Sequence, residues 1–211
     1  IPGCDKVMDY EAQPAKADVV IAAADWIFCL DFNVLSRTKR MEEKIKTAKA
    51  ERILIDHHQE PQTEVFAYGN SDVTKSSTAE MVFDFILASG YADKMNEPIA
   101  ECLYAGVMTD TGSFRFPSTS ASVHKMVAYL KESGLKHSHV HEELFDNFLE
   151  NRFRFIGHVL LNRMEVFYEY NTALLSIPQA DLIKFNIKTG DTEGLVNYPL
   201  SIQGIRLAAI I

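Results

Sequence analysis

The 211-residue sequence predicts an α/β architecture: a mainly parallel sheet flanked by helices, then a linker helix and a second, smaller α/β domain. Two apolar runs carry that prediction. Trp26-Ile27-Phe28-Cys29-Leu30 and Ile53-Leu54-Ile55 are too short for helices, and each ends abruptly in an acid, Asp31 and Asp56. Between them, Ser36 to Ala50 sets Met41, Ile45 and Ala48 near helical spacing on a Lys/Glu background, so the unit reads strand, helix, strand. Both strands are expected to be buried. Parallel strands joined through a helix take a right-handed crossover, and open sheets of this kind bind ligands beyond the carboxyl ends of their strands. Asp31 and the tripeptide Asp56-His57-His58 are therefore expected to meet at one sheet edge.

Composition narrows the class. A chain with 47% hydrophobic residues can bury a core. A formal charge of -8 and a pI near 5.4 count against the broad basic surface that a sequence-independent grip on long duplex nucleic acid requires, and leave room only for a local basic pocket. Cys4, Cys29 and Cys102 lack the paired spacings of zinc sites or disulfide frameworks, which makes a reducing cytoplasm the simplest compartment. No apolar run reaches the roughly 18 residues of a membrane span, and no signal peptide is visible. The chain opens on Ile1-Pro2-Gly3 without an initiator Met and stops inside the apolar run Ile205 to Ile211, so a piece of a longer protein is expected. Its organisation reads as residues 1–149, a linker helix over 150–164, and the start of a second domain over 165–211, with the first and last both incomplete.

In chain order, Ala15 to Ala24 is Ala-rich and helical, and precedes the first strand. Ser77-Thr78-Ala79-Glu80 has the form of a capping box, and the amphipathic stretch after it, through Val82, Phe83, Phe85, Ile86 and Leu87, runs to Gly90. Capping alone accounts for those residues; the alternative is a helix N-terminus that faces a phosphate. Asn96 and Pro98 open a helix through Ile99, Cys102, Leu103 and Val107 that ends in Met108-Thr109-Asp110-Thr111-Gly112, so Asp110 is a third acid at the end of an apolar element. Thr119 to Ser133 is a further helix, with His124 on its surface. His137, His139 and His141 precede a Glu-rich helix start and read as solvated loop histidines, with adventitious metal binding as the alternative. Asn151 to Met164 carries Phe155, Ile156, Val159 and Leu160 on one face and is expected to bridge two lobes. A hairpin about Tyr170-Asn171, a helix from Pro178 and a last strand at the C-terminal end complete the reading.

The chemistry concentrates at the strand ends. Asp and His together suit Mn, Fe, Zn or Ni, and two adjacent imidazoles leave one ring for a metal and one for a substrate. Taken alone, Asp56-His57-His58 also fits a chance loop sequence after a strand. Leu30-Asp31-Phe32-Asn33 followed by Arg37, then Ile55-Asp56-His57-His58, then Met108-Thr109-Asp110-Thr111-Gly112 together resemble the DHH phosphoesterase family in order, spacing and context. The tail Gly194-Leu195-Val196-Asn197-Tyr198-Pro199-Leu200 is similar to the start of that family's associated C-terminal domain, in the branch that acts on very short RNA and on 3'-phosphoadenosine 5'-phosphate.

The resemblance implies two Mn ions, with Mg as an alternative. Asp31 would bridge them, and His57 and Asp110 would complete one. His58 would face the scissile phosphate, Asp56 would orient the imidazoles, and Arg37 would hold either a phosphate or its own loop. The implied reaction is two-metal hydrolysis by in-line attack of an activated water on phosphorus. The family's first motif, a His followed by two Asp on the first strand, and the Gly-Gly-Gly-His segment and arginine of its C-terminal domain have no match here. On that reading this chain alone is expected to be inactive. The implied substrates are short RNA or a small nucleotide, without membrane or long duplex partners and with a homodimer as an open option. Two alternatives stand: a cyclic-dinucleotide phosphodiesterase or pyrophosphatase-like enzyme of the same family, and a non-catalytic nucleotide-binding module.

Overall fold

Three parallel strands, β1 (Trp26–Leu30), β2 (Glu51–Asp56) and β3 (Tyr68–Ser71), form the sheet of the first unit in the order β1-β2-β3. The computed structural model describes residues 1–188 and 190–211, which divide into two units, Ile1–Glu143 and Leu144–Ile211. In the pairing of β1 with β2, Leu30 lies opposite Ile55, so both chains leave the sheet side by side. Alternation then sorts the side chains. Cys29 points to the face where Leu35 and Ile45 form a buried cluster with Ile21, Ile27, Phe32, Met41, Val65 and Phe66. On the opposite face Trp26, Phe28 and Leu30 are 54%, 47% and 43% exposed, which corrects the expectation that this strand is buried. On that face the Phe85 ring meets Phe28 edge-on and, along the sheet, Tyr68 lies beside Trp26.

β3 is invisible to propensity, because Tyr-Gly-Asn-Ser contains two poor strand formers. It pairs through its backbone, and Gly69 (φ 132) makes this workable: a Cβ there would collide with the Leu54 backbone of β2. The helix expected over Ser36 to Ala50 is likewise corrected. A 3-10 segment, Leu35–Met41, turns at Lys39 (φ 52) before the short α2 (Glu42–Thr47) begins. The Thr38 hydroxyl donates to the Leu35 carbonyl at 2.6 Å, a local bond that competes with the α-helical ladder.

The remaining helices of this unit are α1 (Pro14–Ala23), α3 (Thr78–Ala88), α4 (Glu97–Asp110), α5 (Ala121–Glu132) and α6 (His137–Phe145), the last reaching across the division between units. Ser77 caps α3 by accepting from the Glu80 amide at 3.1 Å, and Asn96 caps α4 through the Ile99 amide. Gly106 lets α4 lie close to α3, since a Cβ there would stand 2.7 Å from that of Ala79. The histidines expected in a solvated loop instead lie in α6. His137 and His141, one turn apart, stand against the Tyr104 ring at 6.3 and 5.9 Å, and the Tyr104 hydroxyl is 3.0 Å from His141 Nε2. With Val140 buried beside them, the helix gains an anchored side that a polar loop would lack, while His137, like His139 and His124, stays solvent-exposed and His141 is half-buried. Among the described residues no helix is long and apolar enough to cross a membrane.

In the second unit β4 (Met164–Phe167) pairs antiparallel with β5 (Thr172–Leu175), and β6 (Leu207–Ile210) joins β5 in parallel. The hairpin turns through Asn171 at φ 50, a conformation that Asn tolerates. The helix expected as a linker is α7 (Glu150–Asn162), whose Phe155, Ile156 and Val159 form this unit's core with Leu175 and Leu195. Two short helices, α8 (Gln179–Lys184) and α9 (Asn197–Leu200), complete it. Asp181 on α8 is buried and joins the end of α7, accepting from Arg163 Nε at 2.6 Å and lying 3.0 Å from His158 Nε2.

The Arg163 guanidinium, and after it the His158 ring, hold the Asp181 carboxyl below its ordinary value. A carboxyl depressed on folding stabilises the fold above its unfolded pKa, and that contribution disappears as pH falls through the folded value. Asp181→Asn is therefore expected to lower the thermal midpoint near neutral pH. The gap from wild type, followed by circular dichroism, should close as the solution is acidified below the ordinary carboxylate range.

Candidate metal centre

Register builds the site. The Asp31 amide donates to the Ile55 carbonyl at 3.3 Å, extending the ladder by one residue beyond β1, and the chain then turns with Asp31 at φ 65. The Asp31 carboxylate thereby comes beside the loop that leaves β2, with its Oδ1 3.5 Å from His57 Nε2. From the end of α4, Asp110 Oδ2 approaches the same nitrogen at 3.8 Å. The structure thus brings together Asp31, His57 and Asp110, from two strand ends and one helix end. Ligand atoms of Asp31, His57 and His58 also lie within 4.8 Å of one another.

His58 is held on several sides. Asp56, fully buried, accepts from the His58 amide at 3.0 Å and bonds His58 Nδ1 at 2.7 Å. A carboxylate can only accept, so Nδ1 carries the proton and Nε2 is the free ring nitrogen. Ser71 Oγ on β3 donates to the His58 carbonyl at 2.6 Å, and Asn33 Nδ2 donates to the Gln59 carbonyl at 2.6 Å, tying the Asp31 loop to the histidine loop. The two imidazoles meet edge to face at 4.8 Å. Asp56 grips His58 and makes no bond to His57.

Burial pushes the Asp110 carboxyl up from its ordinary value, and repulsion from Asp31 adds to this, with His57 and His58 offsetting part of it. Two carboxylates around one imidazole leave a surplus of negative charge, which a divalent cation would relieve. The donor set fits such an ion: carboxylate oxygens and imidazole nitrogens, without a thiolate, suit Mn or another borderline metal. Arg37 does not join the cluster through any bond. Its side chain is exposed on the 3-10 segment and makes no hydrogen bond or ion pair among the described residues.

Sequence reasoning missed Thr78, whose Oγ1 donates to Asp31 Oδ1 at 3.0 Å. Its signal was the capping box, which marks the start of α3 without saying what that helix end faces. Ser71 was missed with the whole of β3.

Asp56→Asn preserves the volume of the buried side chain and removes the charge that holds His58. Loss of such a supporting carboxylate is expected to reduce metal affinity about 10–100-fold. Calorimetric Mn titration, measured beside a circular dichroism spectrum, checks this; wild-type affinity in a folded variant would remove Asp56 from the site.

Residues 4–107 match the model of the DHH family, N-terminal domain. An uncharacterized protein of Mycoplasma genitalium is 39% identical over 115 residues, covering 54% of this chain and 34% of that protein. The bifunctional oligoribonuclease and PAP phosphatase NrnA of Bacillus subtilis is 28% identical over 172 residues, covering 80% of this chain and 53% of that protein. This chain therefore spans between about a third and about half of the length of these curated relatives. The crystal structure of an exopolyphosphatase-related protein from Bacteroides fragilis superposes with a TM-score of 0.93 at 36% identity, over 97% of this chain and 59% of that one.

Proposed function

The chain belongs to the DHH family through its N-terminal domain, and from that premise we propose that the protein carrying it is a metal-dependent phosphoesterase that hydrolyses short oligoribonucleotides and 3'-phosphoadenosine 5'-phosphate. The observation that carries the proposal is the placement of His57 Nε2 between Asp31 and Asp110. These three residues would hold the metal, with Mn the preferred ion and Mg the alternative. When bound, the metal supplies Lewis-acid charge for a phosphoryl oxygen and lowers the pKa of water.

The residues around it have separable tasks. Asp56 fixes the His58 tautomer by accepting from its Nδ1, and holds the loop by accepting from the His58 amide. The other ring nitrogen, Nε2, can serve a phosphoryl or leaving oxygen as a donor when it carries a proton and as an acceptor when it does not. The arrangement follows the logic of a buried acid behind a catalytic imidazole. The N-terminus of α3 adds a positive dipole end beside Asp31, through Thr78. Substrate length follows from charge. A formal charge of -8 weighs against the broad basic track that an extended backbone needs, whereas a compact nucleotide needs only the metal and a few donors.

The test uses the full-length protein with Mn and labelled RNA from dimers to about 24-mers, a range that contrasts a pocket with the roughly 4–16-nucleotide tracks of single-strand binders, together with 3'-phosphoadenosine 5'-phosphate. Dimers and the small nucleotide are expected to be hydrolysed fastest, and His57→Ala and chelation of the metal are each expected to abolish turnover. Faster cleavage of long chains with a steep salt dependence would overturn the substrate assignment, and a folded protein without turnover on any of them would favour a binding module.

A further inference from the structure

We propose that Thr78 is a positioning residue for the metal centre, its hydroxyl setting the orientation of the Asp31 carboxylate before a metal arrives; the inference rests on the metal-site reading above. Asp31 needs such help. It sits just past the end of β1 in a left-handed backbone conformation, and its side chain is 58% exposed. Among the described residues its carboxylate has one hydrogen bond, the 3.0 Å bond from Thr78 Oγ1; His57 Nε2 stands 3.5 Å away and a His58 ring nitrogen within 4.8 Å, neither at hydrogen-bond geometry. Without the hydroxyl, rotation of an exposed carboxylate would be opposed by little else, since terminal carboxylate torsions are broad.

Thr78 is equipped for the task. It is the first residue of α3 and is 6% exposed, and its β-branched side chain has few rotamers to choose from. The helix makes no demand on its hydroxyl, because Ser77 supplies the cap. The frame beneath it is fixed by Glu80, a buried carboxylate that accepts from the Ser76 amide and hydroxyl, both at 2.8 Å, and from Ser122 Oγ of α5 at 2.7 Å. Burial pushes the Glu80 carboxyl up, yet the bonds from Ser122 and Ser76, with Lys75 nearby, outweigh it and hold the group below its ordinary value. Glu80 thus stays ionised and in place. A neutral donor also suits the chemistry. It occupies one lone pair of Oδ1 and leaves Oδ2 free, whereas a Lys or Arg at this position would bring a charge that competes with the metal.

The test compares Thr78→Val, which keeps shape and removes the donor, with Thr78→Ser, which keeps the donor, in the full-length protein. The readouts are Mn affinity by calorimetry without substrate, and the thermal midpoint in chelator. Thr78→Val is expected to bind Mn about 10–100-fold more weakly, as for loss of a bond that orients a metal ligand, with Thr78→Ser close to wild type. The midpoints in chelator should stay together. In an Asp31→Asn background, Thr78→Val should cause no further loss. Equal Mn affinity of Thr78→Val and wild type, or an equal loss in the Ser and Val variants, would overturn the inference while leaving the metal site standing. Should Thr78→Val melt early, Thr78→Ala against Thr78→Ser decides: weaker binding by Ala alone supports the inference, and equal binding overturns it. A folded wild-type protein that binds no divalent metal would remove the metal-site reading and this inference with it.

Discussion

The pairing of β1 with β2 in the register that sets Leu30 against Ile55 is the constraint on which the rest of the site depends. Successive strand side chains alternate faces, so a slip of one residue would turn Cys29 out of its buried cluster and withdraw Asp31 from His57. The apolar core therefore fixes the polar edge. Burying Cys29, Leu35 and Ile45 on one face and delivering an acid next to an imidazole at the strand ends are one structural event. Three later elements of the first unit refine that juxtaposition: α4 brings a second acid, β3 a hydroxyl for the His58 carbonyl, and α3 a hydroxyl for Asp31.

The supporting bonds outnumber the residues that would touch a metal, and they come from different elements. Asp56 holds the His58 ring, Asn33 ties one loop to the other, and Glu80 anchors the start of α3 through Ser76 and Ser122. A site assembled this way is braced from behind without being fully buried. Asp31, His57 and Asp110 are partly exposed, while Asp56 and Glu80 behind them are buried and already satisfied. Asp56 and Glu80 are the charged residues that make this work. Each carries its charge into the interior, and each is matched by donors that keep the cost of burial small.

How much of this was legible follows from which residues signal locally. The strand ends at Asp31 and Asp56, the capped helices from Ser77 and Asn96, and the hairpin at Asn171 all follow from apolar periodicity and turn chemistry, which act over a few residues. Convergence of Asp31, His57 and Asp110 follows from the rule that open sheets gather function at their carboxyl edge. β3 was not legible, because Tyr68 to Ser71 is a strand only by virtue of the ladder it completes. Neither was the helical state of His137 to His141, which depends on a Tyr104 ring more than thirty residues away in the chain. The break at Lys39 belongs to the same class, as a competition between a side-chain bond and the helical ladder that tertiary packing decides. The role of Thr78 hides for a different reason: its motif has a complete local explanation, and only the fold adds the second.

Beyond Asp110 the chain does something L-amino acids resist. Gly112, Ser113 and Phe114 take φ values of 55, 57 and 64° in succession, a short stretch of mirror-image backbone that costs roughly 1–2 kcal/mol for each residue bearing a Cβ. Thr111 sustains it from a fully buried position: its hydroxyl donates to the Val107 carbonyl and accepts from the Phe114 amide, and its carbonyl receives the Arg115 and Phe116 amides. A right-handed helix cannot propagate through a reversed hand, so α4 has a hard stop that begins two residues beyond its acid, at Gly112. Changes of length in the segment that follows, up to the start of α5, would be absorbed on the far side of that stop. Asp110 would keep its place while the loop beyond it is free to diverge.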